Sequence, residues 1–274
     1  MKKFLGVLAF LVIIGGILAA FYFFGIEHGS GKVITESRFS KSFNTVEVIG
    51  NANLYITQGF NEKVIVEAED NLMDQITTEV RNGVLLIDTE NKFGNYIWPT
   101  KPINVHIEMY DVKKLLITGS GNIIGQSKIN ADTLKLNISG SGEADLDVDT
   151  KLLETIISGD GKVKLQGIAG THEFEISGSG SLEADELITT TSKIHISGSG
   201  DAFIAVIDAI EIEISGSGNV KYKGNAEITK QNLSGDGSIE KVMGNVQLPN
   251  EEVVFENIDF AELIEEFEST PSEI

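Results

Sequence analysis

Aromatic and basic side chains cluster in one short polar stretch of this sequence, residues 91–102. Phe93, Tyr96, Trp98 and Lys101 stand there among asparagines and prolines, and Trp98 is the only tryptophan of the chain. Exposed aromatic rings beside hydrogen-bonding groups can stack on a sugar ring or bury a peptide side chain. The stretch therefore predicts a glycan or protein contact at these four residues. The alternative is that the rings cover an open end or flank of the fold.

Two pairs of carboxylates offer a second kind of chemistry. Glu143 with Asp145, and Glu183 with Asp185, are spaced i, i+2, so both members of a pair face one side of a strand. Polysaccharide-cleaving β-helices need such clustered acids. No arginine or histidine column accompanies these pairs, and the sequence shows no nucleophile elbow, phosphate-cradling loop or triad spacing. We expect no catalytic residue, and a polysaccharide-active enzyme remains the weakest alternative.

Metal binding has little support in the sequence. Ser-Gly-Asp-Gly at 158–161 and at 234–237 resembles calcium-binding β-rolls, but those need an aspartate in nearly every nine-residue turn. The chain has no cysteine, and its histidines show no metal-ligand spacing; they are His28, His106, His172 and His195. We expect no metal and no cofactor.

A short glycine-containing repeat of the sequence predicts the structural elements that position these candidate residues. The four-residue motif Ser/Thr-Gly-Ser/Asp-Gly occurs seven times at intervals of about 20 residues. Its first glycines are Gly119, Gly140, Gly159, Gly178, Gly198, Gly216 and Gly235. An aliphatic residue stands two positions before each of them, and polar residues alternate with apolar ones around it. This period of two predicts a strand with one buried face entering each glycine corner, and a second strand leaving it.

A unit this short cannot bury its own apolar face, so each copy must stack on its neighbours. The sequence predicts an all-β fold, a parallel β-helix or solenoid with about 19–20 residues per coil. Residues 33–245 form one body, with additional coils before the seven that carry the motif. Its outward column Asn137, Glu175, His195, Glu213 and Asn232 is a candidate binding face, unless it is an ordinary solvated face.

The two ends of the chain differ from this body. Residues 4–26 carry no charge over 23 residues, enough for a helix that spans a bilayer, so residues 1–26 predict an uncleaved transmembrane anchor rather than a cleaved signal. Lys2 and Lys3 before it predict export of the body. We expect residues 27–32 to form a short linker. The acidic tail, 246–274, predicts a helix that caps the last coil, with a disordered tail or a partner-docking helix as alternatives.

The net charge of −20 argues against nucleic acid and anionic lipid surfaces as partners, because both would repel such a protein.

Ordered short motifs carry a family resemblance. They include Phe43-x-x-Val46-x-Val48-x-Gly50, then Leu54-x-Ile56-x-Gln58-Gly59, Val80-x-Asn82-Gly83 and the glycine repeats. The region 33–245 resembles the putative auto-transporter adhesin, head GIN domain family of bacterial envelope proteins. The resemblance implies a parallel β-helix-like fold and an envelope location, and it transfers no catalytic residue.

Taken together, these features predict a non-catalytic binding module in the cell envelope, held by its N-terminal helix, with the β-domain periplasmic or at the surface. The ligand is a glycan or a protein. A periplasmic component of envelope-stress sensing or scaffolding is the alternative. The sequence does not predict an oligomeric state.

Overall fold

The computed structural model of the chain describes residues 26–38, 41–90, 96–244 and 246. The predicted transmembrane helix up to residue 25, Phe93, and the acidic tail beyond residue 246 lie outside the described residues. In the described ranges no helix has the length and apolar character needed to cross a bilayer.

The described residues form strands, joined by turns and a single 3₁₀ turn at Met73–Gln75. The N-terminal strands are β1 Ile26–His28, β2 Val33–Arg38, β3 Thr45–Gly50, β4 Asn53–Gln58, β5 Lys63–Glu69, β6 Thr77–Arg81, β7 Val84–Asp88, β8 Tyr96–Trp98, β9 Asn104–Met109, β10 Lys114–Gly119 and β11 Asn122–Gly125. The strands that follow are β12 Ile129–Gly140, β13 Glu143–Gly159, β14 Lys162–Gly178, β15 Ser181–Gly198, β16 Asp201–Gly216, β17 Asn219–Lys223, β18 Glu227–Ser234 and β19 Ser238–Lys241.

Parallel pairing stacks most of these strands into a β-solenoid of about seven turns, which confirms the predicted all-β fold. Strand β13 pairs along almost its whole length with β14, and β14 with β15. In this register Gly140 lies beside Gly159, and Gly159 beside Gly178. The strands β13–β16 are 16–18 residues long because they continue through bends and stop only at the glycine corners.

The glycine corner is a place of close backbone approach. The amide of Asp160 donates to the carbonyl oxygen of Gly140 at 2.9 Å, and the amide of Ser179 donates to that of Gly159 at 3.0 Å. Gly159 itself has a φ of +114°, and a Cβ there would lie 2.6 Å from the Gly140 oxygen. Glycine is therefore required for two reasons, the backbone conformation and the space.

The interior is filled by the columns that the sequence indicates. The aliphatic residues two positions before the first glycines are at most 2% exposed from Ile117 to Ile214. The last of the column, Leu233, is 44% exposed, and among the described residues no further coil covers it. Burial of this continuous column supplies the stabilisation that a single coil cannot provide.

The N-terminal part departs from a simple succession of coils. Strands β7 and β9 pair in parallel with β3 and β4, so β7 and β9 lie outside β3 and β4 although they come later in the chain. The hairpin β6–β7, with Asn82 and Gly83 both at positive φ, and the antiparallel strands β5 and β2 close this end. An Asn-Gly pair favours such a tight reversal.

One histidine lies inside the solenoid. His172 is 1% exposed, and its Nε2 lies 3.0 Å from the hydroxyl of Thr155, which is also buried. The Phe174 ring is 5.9 Å away. Burial lowers the pKa of His172 to about 4, because the charged ring would lose its hydration.

We predict that Gly159→Ala lowers the free energy of unfolding by about 3 kcal/mol, since the new Cβ combines a strained positive φ with a clash against the Gly140 carbonyl. Urea unfolding followed by circular dichroism measures the change. Gly31→Ala is the matched control, because Gly31 has a φ of +80° but open space around its Cβ position. It should cost only about 1 kcal/mol. Equal losses in both variants would contradict the role of close approach.

We also predict a pH dependence from His172. The unfolded state takes up a proton near pH 6.5, whereas the folded state does so only near pH 4. Stability should therefore fall by about 3 kcal/mol as the pH drops from 6.5 to 4, and this loss should level off below pH 4. His172→Gln, which keeps a partner for Thr155, should remove this part of the profile, while His195→Gln on the exposed surface should not. If His172→Gln left the dependence of stability on pH unchanged, the assignment of this dependence to His172 would be wrong.

Candidate functional site

Two outward columns of side chains run along one side of the solenoid; we call this surface the ladder face. It consists of the residues five and three positions before each first glycine. The first column is Lys114, Lys135, Glu154, Glu173, Lys193, Glu211 and Lys230, and the second is Leu116, Asn137, Ile156, Glu175, His195, Glu213 and Asn232. Strand pairing places members of one column in neighbouring coils, about 4.8 Å apart.

Ion pairs and hydrogen bonds link the members of the ladder face. Lys135 contacts Glu154 at 2.6 Å, and Lys193 contacts Glu173 at 2.9 Å. The pKa of Lys193 is raised because Glu173 accepts a hydrogen bond from its ammonium group. Such exposed pairs contribute little to stability one by one, so their main effect is to fix the positions of the side chains.

Glu213 is the most connected carboxylate of this face. It accepts hydrogen bonds from Lys230 at 2.5 Å and from Asn232 at 3.1 Å, and His195 lies 3.5 Å away. The hydrogen bond from Lys230 is the main reason why the pKa of Glu213 lies below its ordinary value. Glu213 is therefore held ionised beside an imidazole that can donate or accept.

A shallow groove of about 410 Å³ follows these residues from Glu154 to Lys230. Its walls combine carboxylates, two lysines, His195 and the partly buried Ile156. Such a surface can donate to and accept from a row of polar groups and offer a small apolar contact.

The sequence predicted the second column of the ladder face but missed the first. The signal was present, because all seven residues five positions before the first glycines are charged. Aligning the repeats on glycine is sufficient to find this column. The structure also adds Glu47, in register with Leu116, to the second column.

The aromatic stretch proposed from the sequence lies at the N-terminal end of the solenoid. Trp98 is 62% exposed, Lys101 is exposed, and Tyr96 begins the short strand β8. Strand β8 pairs in parallel with β1, so that Trp98 lies beside His28, with ring centroids 6.4 Å apart. The structure thus places Trp98 and Lys101 in one loop, 96–101, which we call the aromatic loop. Their contact with a ligand stays a prediction.

A buried carboxylate, which the sequence analysis did not single out, holds the aromatic loop. Glu69 is 1% exposed and accepts hydrogen bonds from the Thr100 amide at 2.7 Å, the Thr100 hydroxyl at 2.5 Å and the Lys101 amide at 3.2 Å. The Gly31 amide donates to it at 2.6 Å. Burial opposes ionisation of Glu69, but these hydrogen bonds outweigh it and lower its pKa.

The carboxylate pairs lie on another side of the solenoid. Asp145, Lys164 and Glu183 stand in one column, so that a lysine separates the two acids, which are about 10 Å apart. Asp185 instead contacts Lys223 at 3.3 Å. Across the described ranges, no three His, Asp or Glu side chains come together as metal ligands.

The fold and the ladder face define a β-solenoid that presents a repeated polar surface. The chain belongs to the putative auto-transporter adhesin, head GIN domain family, whose family model matches residues 42–226. This confirms the resemblance seen in the sequence. The description of the family as a putative adhesin suggests binding of some ligand and an extracellular or envelope location. None of the curated proteins matches the chain.

Solved structures share the fold. A putative adhesin from Bacteroides fragilis is 24% identical, with a TM-score of 0.75 over 79% of this chain and 100% of the other. A putative lipid binding protein from Parabacteroides distasonis is 22% identical, with a TM-score of 0.65 over 79% and 99%. A putative adhesin from Parabacteroides merdae is 23% identical, with a TM-score of 0.63 over 80% and 99%. At these identities the likeness shows the fold alone.

We predict that Glu69→Gln loosens the aromatic loop without unfolding the solenoid, because an amide cannot accept all four hydrogen bonds. Amide hydrogen exchange at Thr100 and Lys101 should accelerate about tenfold or more. In the wild type the loop should stay held above the ordinary pKa of a glutamate and loosen only as the pH falls through the lowered pKa of Glu69. Glu67→Gln on the same strand is the control. Unchanged exchange in the Glu69 variant would show that other contacts hold the loop.

Proposed function

We propose that the protein is a membrane-anchored, extracytoplasmic binding module that attaches to a glycan or protein through the ladder face. The observation that carries this proposal is the pair of outward columns, which repeat hydrogen-bonding side chains at the coil spacing beside a groove of about 410 Å³. A ligand with regularly spaced polar groups can contact several coils at once. Membership of an adhesin-type family supports the same function.

The role is proposed to be non-catalytic. Aliphatic columns fill the interior of the solenoid, so the outer surface carries the recognition. On the ladder face the carboxylates Glu154, Glu173 and Glu213 are engaged by lysines, and this arrangement suits binding better than proton transfer.

The anchoring and the two ends complete the proposal. Residues 1–26 hold the protein in the membrane, with Lys2 and Lys3 inside and the solenoid exported. Residues 246–274 cover the last coil, where Leu233 is left 44% exposed. The negative net charge argues against nucleic acid as a partner.

We predict that the double substitution Glu175→Gln with His195→Ala weakens ligand binding by about tenfold or more, since both side chains lie exposed in the groove. Binding of the purified chain to a glycan array and to extracellular matrix proteins provides the measurement. Glu47→Gln is a matched control, because Glu47 occupies the same column four coils away from Glu175. Equal binding by the double variant and the wild type would remove the ladder face as the site.

A periplasmic scaffolding or stress-sensing component is the second candidate. The pairing of β1 with β8 favours it, because β1 begins at the end of the apolar segment and keeps the domain close to the membrane. Protease treatment of intact cells separates the two candidates. Cleavage of the solenoid on intact cells supports adhesion, whereas protection until the outer barrier is opened supports the periplasmic role.

A further inference from the structure

The place where the chain leaves the solenoid toward its N-terminus is fixed. The uncharged segment of the sequence ends at Ile26, which is also the first residue of β1. Ile26 lies in register with Tyr96, and His28 with Trp98. The Gly29 amide donates to the carbonyl oxygen of Trp98 at 3.0 Å. The first described residues, which directly follow the apolar segment in the sequence, are therefore paired with the aromatic loop.

The segment after β1 is held in place by hydrogen bonds and an ion pair. The Asn71 side chain donates to the carbonyl oxygen of His28 at 2.9 Å and accepts from the Ser30 amide at 2.8 Å. Lys32 contacts Asp70 at 3.2 Å, and Glu69 binds the Gly31 amide. Residues 28–32 are thus held on both the aromatic loop and the end of β5, and they cannot act as a long tether.

The reach of the chain sets the depth of Trp98. His28 lies two residue steps after Ile26, which corresponds to about 7 Å of extended chain. The neighbouring strand adds about 5 Å. Trp98 then lies within about 12 Å of the end of the apolar segment. The polar headgroup layer on one side of a bilayer is about 5–8 Å thick, and an indole side chain spans much of the remaining distance.

We infer that Trp98 lies in the phospholipid headgroup layer, and that the aromatic loop seats the N-terminal end of the solenoid on the bilayer. This inference rests on the anchoring proposed above. Tryptophan favours this layer because its ring is apolar and its N–H can bond to lipid oxygens. Trp98 is 62% exposed on a loop that Glu69 holds in place, so its ring needs no rearrangement to enter lipid. Lys101 is exposed on the same loop, and its ammonium group can contact lipid phosphate.

Fluorescence tests the inference directly because Trp98 is the only tryptophan. The full chain is reconstituted into phosphatidylcholine vesicles, and Trp98 emission is quenched in turn by brominated lipid and by aqueous acrylamide. The comparison protein carries about 20 Gly/Ser residues inserted between residues 25 and 26, a linker of about 25 Å that leaves β1 intact. The wild type should show quenching by brominated lipid, a blue-shifted emission, and acrylamide quenching reduced about twofold relative to the insertion variant.

The outcomes separate the inference from the anchoring. A chain that stays with the vesicles after an alkaline wash, yet shows the same quenching with and without the insertion, would overturn the seating of Trp98 and leave the anchor standing. A chain that washes off the vesicles would overturn both. Loss of glycan binding by vesicle-held Trp98→Ala, with the ladder face intact, would assign the loop to a ligand and overturn its seating in lipid.

Discussion

Contact between glycine backbones in successive coils is the constraint on which the rest of the structure depends. The first glycine of one coil accepts a hydrogen bond from the motif amide of the next, as Gly140 does from Asp160 at 2.9 Å. A side chain at this corner would occupy the place of that bond. Because a side chain at this corner would clash with the glycine of the preceding coil, the corner constrains the stacking of the coils and the register of the strands that enter and leave it.

Register in turn decides what the surface presents. A slip of one residue would turn the buried column of Ile157, Ile176 and Ile196 outward and bring the charged columns into the core. With the register fixed, Glu173 and Lys193 form an ion pair across neighbouring coils at 2.9 Å. Glu213 likewise accepts hydrogen bonds from Lys230 and Asn232 of the next coil. The ladder face is therefore a direct consequence of the glycine corner, although no glycine takes part in it.

The same logic explains how far the sequence could predict the fold and the site. From Gly119 onward the repeat specifies the strands, the buried columns and the outward column through Glu175. The sequence predicted additional coils before the repeat but not their order, because Gly50 joins the glycine column across 69 residues of chain and strands β7 and β9 lie outside β3 and β4. The sequence also could not predict the role of Glu69, because three of its four hydrogen-bond donors are backbone amides, and any residue type other than proline supplies such a donor.

The proposed seating of the aromatic loop and the proposed binding at the ladder face are compatible because they lie at different heights. If the N-terminal end rests on the bilayer, each coil raises the surface by about 4.8 Å. The groove from Glu154 to Lys230 then lies about 20–40 Å above the lipid, since four coils separate Leu86 from Ile156 in the column. That height exceeds the Debye length of about 8 Å at physiological ionic strength, so lipid charge does not reach the groove. The chain is acidic, with a net charge of −20, so it also avoids lying flat on an anionic membrane. The proposed N-terminal anchor, the proposed seating of the aromatic loop and the negative net charge together favour a module that stands on its N-terminal end. In this position the ladder face is presented away from the bilayer.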